Sequence, residues 1–270
     1  MTKILKYLVL LYCCFFVGFT CYASAVNFNK KYEKIFFPKG MPIIKNWNGK
    51  SRQERFEFYT YSKLSDNCEV VVFAEQTSTD SYDTDHRVWM GVVLYHDGSH
   101  KIIYLKDITY CIPVDSGFPG SFNRMNAISE VVNLNKSINL LHINIWAVLS
   151  GSGYISGASD LFFVCGLNDV PKNALEVLNA SDFSREGLID RAIKSSEFYL
   201  SIKNSIVCLY IVKNNIIFSQ KGMHASSKKL GVYLLAKNKF IDSGNIKSLP
   251  PDALKLKSVP ELLKLKTNIN

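Results

Sequence analysis

Beyond its first 25 residues the sequence has no long apolar stretch. A membrane-spanning helix needs about 20 consecutive apolar residues. The most apolar later segment, residues 140–149, is interrupted by His142 and is followed by a stretch rich in glycine and serine. The sequence therefore predicts no transmembrane span in the mature chain.

Short catalytic and cofactor motifs are also missing. There is no C-x-x-C pair, which argues against a zinc ribbon and a thiol redox motif. There is no G-x-S-x-G, so Ser152 and Ser156 are weak nucleophile candidates. The glycine-rich segment 151–157 lacks the lysine and the following helix that a phosphate-binding loop needs. The sequence therefore predicts no cofactor.

The N-terminus, in contrast, has the pattern of a cleavable secretory signal. Two lysines precede an apolar run over residues 7–19, and an Ala-Ser-Ala sequence at 23–25 supplies the small residues that signal peptidase reads. A membrane anchor is one alternative, but the run is shorter than a spanning helix. A lipoprotein modified at Cys21 is another, and the residues before that cysteine fit it poorly. Residues 1–25 are predicted to be a signal peptide, which makes the mature protein secreted or periplasmic.

Cysteine is sparse after the signal and widely spaced. The disulfide candidates are Cys68, Cys111, Cys165 and Cys208. An even number of cysteines in an exported chain favours two disulfide bonds, with three possible pairings. The alternative is that some are free thiols in the core, because cysteine is often simply a small buried residue. Cys208 lies inside an apolar run and suits that alternative.

The net positive charge of the mature chain comes from its C-terminal fifth. Residues 26–218 carry equal numbers of basic and acidic residues, whereas residues 219–270 hold ten lysines and three acidic residues. A basic segment attracts anionic partners, and the alternative is a solvated lysine-rich surface. Leucine alternates with lysine near the end, which also suits an element docked on the body by its leucines. The partner-binding candidates are Lys255, Lys257, Lys264 and Lys266.

Strand signals dominate residues 68–165. Asp97-Gly98 between two apolar runs predicts a hairpin with a two-residue turn. Polar His142 and Asn144 alternate with apolar neighbours, which predicts a strand with one face in water. Strands are predicted at 68–74, 88–95, 101–105, 127–134, 138–149 and 161–165.

The pattern changes after Pro171. Ser184 is placed to cap a helix with an apolar stripe over residues 188–193, and residues 258–266 predict a second short helix. Between them Lys213-Asn214-Asn215 is predicted to be a turn between two strands. The predicted fold is mainly β (α+β): an antiparallel, sandwich-like body with one or two helices in the C-terminal part. The predicted units are 1–25, a β-rich domain over 26–170, and a smaller α+β part over 171–270 that can be continuous with it.

Histidines and nearby carboxylates are the candidate chemical groups. A hydrolase site would draw on Asp83, Asp85, His86, His96 and His142. Metal ligation near the hairpin by His86, His96 and His100 is a weaker hypothesis, because turn tips are polar whenever they face water, so no metal is expected.

Two functions follow from these patterns. The first is a secreted or periplasmic protein that performs no chemistry and binds another macromolecule, a protein or an anionic surface, through its basic C-terminal segment. Nucleic acid is not the expected partner. The alternative is a secreted hydrolase with an unrecognised active site.

Overall fold

The structure, a computed structural model, is mainly β and antiparallel, as predicted. It describes residues 27–45, 51–78, 84–108, 122–149, 155–166, 169–183, 191–219 and 222–257. The predicted signal peptide lies outside these residues. Within them the protein has one helix, α1 (residues 27–36), and three sheets whose strand pairs are all antiparallel.

The first two sheets come from the N-terminal half. A small sheet pairs β1 (Ile43–Lys45) with β2 (Ser51–Gln53). A four-stranded meander follows, built from β3 (Arg55–Ser65), β4 (Cys68–Ser78), β5 (Thr84–His96) and β6 (Ser99–Asp107).

The third sheet is a long meander in sequence order. Its strands are β7 (Phe122–Asn133), β8 (Ile138–Leu149), β9 (Ile155–Gly166), β10 (Lys172–Phe183), β11 (Arg191–Lys203), β12 (Ile206–Ser219), β13 (Gly222–Ala236) and β14 (Lys239–Asn245), and β15 (Leu254–Lys255) pairs with β11. Because β9 and β10 are hydrogen-bonded neighbours, this sheet runs across residue 170.

The large sheet folds over between β10 and β11. β10 pairs with β9 from residue 172 to residue 180, but with β11 only at Ser181–Phe183. The far end of β11 pairs instead with β15. We call β7–β10 the inner half and β11–β15 the outer half of this sheet. Leu140 and Phe162 of the inner half pack with Phe198 and Leu209 of the outer half in one core.

A second core lies on the opposite face of the inner half. There Ile143 and Phe163 pack against Val70 and Val72 of the four-stranded sheet. Successive strand residues point to opposite faces, so the inner half is apolar on both sides. The protein is thus a stack of three β layers with the inner half in the middle.

Helix α1 covers the outer face of the four-stranded sheet. Its Tyr32, Ile35 and Phe36 are buried against that sheet, at the i, i+3 and i+4 spacing of a helix face. Gly91 of β5 permits the contact, because a Cβ there would lie 2.3 Å from a ring carbon of Phe36. Gly40, with φ of 86°, follows the helix in the left-handed conformation that favours glycine.

A carboxylate fastens α1 to the sheet beneath it. Glu69 Oε2 of β4 accepts hydrogen bonds from Lys31 Nζ at 3.0 Å, Tyr32 Oη at 3.0 Å and Tyr95 Oη at 2.8 Å. Burial alone would raise the pKa of Glu69, but these three donors outweigh it and hold that pKa below its ordinary value.

Three hairpins turn through two residues that both have positive φ. They are Asp97-Gly98 (44° and 76°), Asn204-Ser205 (50° and 65°) and Lys237-Asn238 (49° and 68°). This geometry matches the right-handed twist of the flanking strands. The predicted hairpin at Asp97-Gly98 is confirmed.

The prediction of C-terminal helices is wrong for the described residues: the helix is N-terminal, and Ala192 and Ile193 lie in β11. Apolar spacing over so short a run fits either structure, and here a ladder of thirteen paired positions with β12 decides it. The predicted turn at Lys213-Asn214-Asn215 is also wrong. These residues lie inside β12 and pair with strands on both sides, so a turn there would break two ladders. Residues 184–190 and 258–266 lie outside the described part.

Three cysteines can be placed, and all three are free thiols. Cys68 and Cys165 are buried in the core between the four-stranded sheet and the inner half, and Cys208 is partly buried in β12. Burial raises the pKa of Cys68 to about 11 and that of Cys165 to about 12. The predicted disulfides are therefore not present among these three residues, and Cys111 lies outside the described part.

Candidate functional site

A cluster of polar side chains is buried between the two halves of the large sheet. His142 of β8 lies between two carboxylates: Asp160 Oδ1 of β9 is 2.8 Å from its Nε2, and Glu130 Oε1 of β7 is 3.1 Å from its Nδ1. Asn144 Nδ2 donates to the same Asp160 oxygen at 2.7 Å. His142 and Asp160 are each 1% exposed, so the prediction of a water-facing strand face here is wrong.

Aromatic rings enclose the imidazole. Phe162 stacks on it with ring centroids 4.5 Å apart and an interplanar angle of 5°, and Phe198 of β11 approaches with its centroid at 5.6 Å. The register explains the arrangement, since His142 pairs directly with Phe162, and Asn144 with Asp160, across β8 and β9. Directly opposite residues share a face of the sheet.

The two carboxylates control the charge of His142. Burial by itself lowers the pKa of this imidazole, because a charged group loses its hydration. The hydrogen bonds and charges of Asp160 and Glu130 act in the opposite direction and prevail, so the pKa of His142 is raised above 6.5. The cluster therefore favours the protonated, imidazolium form of His142 between its two acidic neighbours.

The same cluster anchors the C-terminal segment. The backbone N–H of Lys257 donates to Glu130 Oε1 at 2.5 Å, and Leu256 is buried in the core between the two halves. Leu256 N–H also donates to the carbonyl oxygen of Phe198. Glu130 thus joins β7, the buried imidazole and the segment after β15.

This geometry suits a structural ion pair better than catalysis. Both nitrogens of His142 are hydrogen-bonded, so neither is free to take a proton from a substrate. Asp160 and Glu130 lie at opposite sides of the ring and do not converge on one point. In the part of the chain that the structure describes, no group of three or more His, Cys, Asp or Glu side chains could hold a metal ion.

The other predicted catalytic residues are not brought to this cluster. His96 is exposed at the end of β5, where its Nε2 is 3.2 Å from Asp97 Oδ2. His100 is exposed in β6, and Asp85 and His86 lie in β5 opposite β4. Asp83 lies outside the described residues.

The second candidate site is the basic surface of the outer half. From residue 196 to residue 257 the described chain has nine lysines, all exposed, and three acidic residues. The lysines are Lys203, Lys213, Lys228, Lys229, Lys237, Lys239, Lys247, Lys255 and Lys257. Because the lysines lie on neighbouring strands and turns, the excess positive charge of the sequence is concentrated on one layer of the protein.

The predicted partner-binding lysines have internal contacts. Lys255 Nζ is 3.6 Å from Glu197 Oε1 and 5.9 Å from the centroid of the Tyr199 ring. Lys257 binds Glu130 through its backbone N–H. The other interpretation of this segment, an element docked on the body by its leucines, holds for Leu256, which is buried, but not for Leu254, which is 56% exposed. Lys264 and Lys266 lie outside the described residues.

Sequence reasoning missed the lysines at the hairpin ends of the outer half. Lys203 precedes the turn Asn204-Ser205, and Lys239 follows the turn Lys237-Asn238, of which Lys237 is the first residue. Among the described residues, no ion pair of the structure involves these three lysines. The sequence contains a pattern that could have located these turns, since Asn between apolar runs is typical of a two-residue hairpin turn.

Comparison with protein-family models, with curated proteins and with solved structures finds no match. In the described residues no helix is long and apolar enough to cross a membrane.

Proposed function

We propose that the protein is exported and that it binds an anionic macromolecule or an anionic surface through the outer half of its large sheet, without catalysing a reaction. The observation that carries this proposal is the concentration of exposed lysines on that layer, nine against three acidic residues. Clustered charge of one sign raises the local concentration of oppositely charged partners and speeds their association.

The alternative, a hydrolase, has its best residue in His142. A general base needs a nitrogen within hydrogen-bonding reach of the proton that it removes. His142 has both nitrogens bound to carboxylates and is 1% exposed. The binding function is therefore the better proposal, and the buried cluster serves to hold the layers together.

Retention on a sulfated dextran matrix tests the binding proposal. In one variant, glutamine replaces five lysines of the outer half: Lys203, Lys213, Lys228, Lys229 and Lys239. In the matched control, glutamine replaces five exposed lysines elsewhere: Lys30, Lys63, Lys101, Lys136 and Lys172. Both variants lose the same formal charge, so the comparison isolates where the charge lies.

The outer-half variant is expected to bind roughly ten-fold more weakly than the control at moderate salt, because clustered lysines act together on a polyanion. The control is expected to elute close to the unmodified protein. Elution of both variants at the same salt concentration would contradict the proposal, since net charge alone would then explain retention. A truncation after residue 218 is a poorer test, because it removes three strands of the outer half.

Export rests on the predicted signal over residues 1–25. The protein recovered from outside the cytosol is expected to begin at Val26, which N-terminal sequencing reads directly. A recovered chain that still begins at Met1 would contradict cleavage.

A further inference from the structure

Two hairpin turns lie next to each other at one end of the outer half. Cys208 of β12 pairs with Leu234 of β13. The turn from β11 into β12 lies just before Cys208, and the turn from β13 into β14 lies just after Leu234. Both turns therefore lie at one end of the sheet. We call this end the basic tip, made up of Lys203, Ile206, Leu234, Lys237, Lys239 and Ile241.

The register puts five of these side chains on one face, and Lys237 lies in the adjoining turn. Leu234 pairs with Ile241, and Lys203 pairs with Ile206. Residues directly opposite in an antiparallel pair share a face, as do residues two apart in one strand. Ile206 therefore shares the face of Cys208 and Leu234, and Lys239 that of Ile241.

At the tip this face is open to solvent, whereas farther from the turns Ser201 and Tyr210 of the same face are buried. The intervening residues Val207, Leu209 and Phe240 point the other way, into the core against the inner half. On the outer face Ile206 is 56% exposed and Ile241 is 55% exposed. Three aliphatic side chains and three lysines are thus open to solvent together.

The two acidic residues near the tip, Asp242 and Asp252, do not neutralise its lysines. Asp242 pairs with Tyr233, whose side chain packs toward the core, and its Oδ1 accepts the N–H of Gly244. Asp252 approaches Ser201, with 3.4 Å between Oδ2 and Oγ. Within the described residues neither carboxylate forms an ion pair with a tip lysine.

This composition fits a lipid surface better than a protein surface. Energetic centres of protein–protein interfaces are enriched in Trp, Tyr and Arg, and lysine is depleted there. The tip has lysine, isoleucine and leucine and none of those three. At an anionic bilayer the same residues are favourable, because lysines meet headgroup phosphates while aliphatic side chains enter the boundary with the acyl chains.

We propose that the basic tip docks the protein on an anionic lipid bilayer. This inference deepens the proposed function by naming its partner and rests on it. Lys203, Lys237 and Lys239 contact the headgroup phosphates, and Ile206, Leu234 and Ile241 lie against the outer edge of the acyl region. The contact is peripheral and weakens as salt concentration rises.

Vesicle sedimentation at low and moderate salt tests the proposal. The probe is vesicles of equal parts phosphatidylglycerol and phosphatidylcholine, with pure phosphatidylcholine as the neutral surface. The protein used in this experiment starts at Val26, because the apolar run 7–19 would itself bind vesicles.

The tip variant replaces Lys203, Lys237 and Lys239 with glutamine. The matched control makes the same change at Lys63, Lys101 and Lys136, and a third variant replaces Ile206 and Ile241 with serine.

The unmodified protein is expected to sediment with anionic vesicles and not with neutral ones. Each lysine contributes about five-fold to binding, so the tip variant should bind about 100-fold more weakly. The serine variant should lose about ten-fold, because it removes apolar contact without changing charge. The control should match the unmodified protein.

Two results would overturn the inference: no sedimentation with anionic vesicles at low salt, or equal losses in the tip variant and the control. Retention on sulfated dextran separates this failure from failure of the proposed function. A protein that binds the dextran but not the vesicles overturns lipid docking alone. A protein that binds neither overturns both proposals.

Discussion

Replacing Asp160 with alanine is expected to lower the free energy of unfolding by about 3–5 kcal/mol, because it breaks a buried ion pair on one side only. Asp160 Oδ1 accepts hydrogen bonds from both His142 and Asn144, and all three side chains are buried. Without the carboxylate, the imidazole keeps only Glu130, and the amide of Asn144 loses its acceptor. Chemical denaturation at pH 6, followed by tryptophan fluorescence, measures the change.

Two further variants separate charge from packing. Asp160→Asn keeps the shape and one acceptor oxygen, so its loss is expected to be smaller than that of Asp160→Ala. Asp66→Ala removes an exposed carboxylate in the turn between β3 and β4 and should change stability by no more than about 0.5 kcal/mol. If Asp160→Ala costs no more than Asp66→Ala, the buried cluster does not stabilise the fold.

Much of the strand pattern could be predicted from local sequence. The hairpin at Asp97-Gly98 follows from two residues that tolerate positive φ, and the apolar runs at 138–149 and 161–165 form β8 and β9. The fold-over at β10 could not be predicted in this way. It depends on β15 displacing β10 from the far end of β11, a contact between residues more than 50 positions apart.

The buried cluster shows why an alternating pattern misleads. His142 and Asn144 have the alternating spacing of a strand face exposed to solvent, yet that face is covered by the outer half. Polar side chains are tolerated there because Asp160 lies opposite in the next strand. Local sequence specifies which residues share a face, but whether another layer covers that face depends on long-range folding.

The distribution of charge along the sequence likewise identified only some of the lysines that the outer half brings together. The excess of lysine after residue 218 is visible in the sequence, and most of the described lysines of that segment lie in the last strands and turns of the outer half. The assignment to Lys255 and Lys257 followed from their alternation with leucine, and these residues lie at the docked segment. Lys203 lies before the basic segment and joins Lys237 and Lys239 only because β12 and β13 are paired.

Raising the pH above 6.5 is expected to reduce the stability that His142 provides. The raised pKa of His142 means that the folded state binds its proton more tightly than the unfolded state. This stabilisation is complete below the ordinary value of 6.5 and is lost as pH rises through the folded pKa. The titratable groups that face the imidazole are Asp160 and Glu130, while β11 contributes Phe198, which does not titrate.

Comparison with His142→Gln isolates this contribution, because glutamine is polar but does not titrate. Unfolding free energies of both proteins would be measured from pH 6 to pH 9. The advantage of the unmodified protein over the variant is expected to be largest at pH 6 and to shrink as pH rises. Loss of the imidazolium also removes a partner that orients Glu130 toward the N–H of Lys257, so the protection factor of that amide, which corrects for the base-catalysed rise in intrinsic exchange, should fall over the same range. A constant difference between the two proteins would show that His142 carries no proton in the folded state that it lacks in the unfolded one.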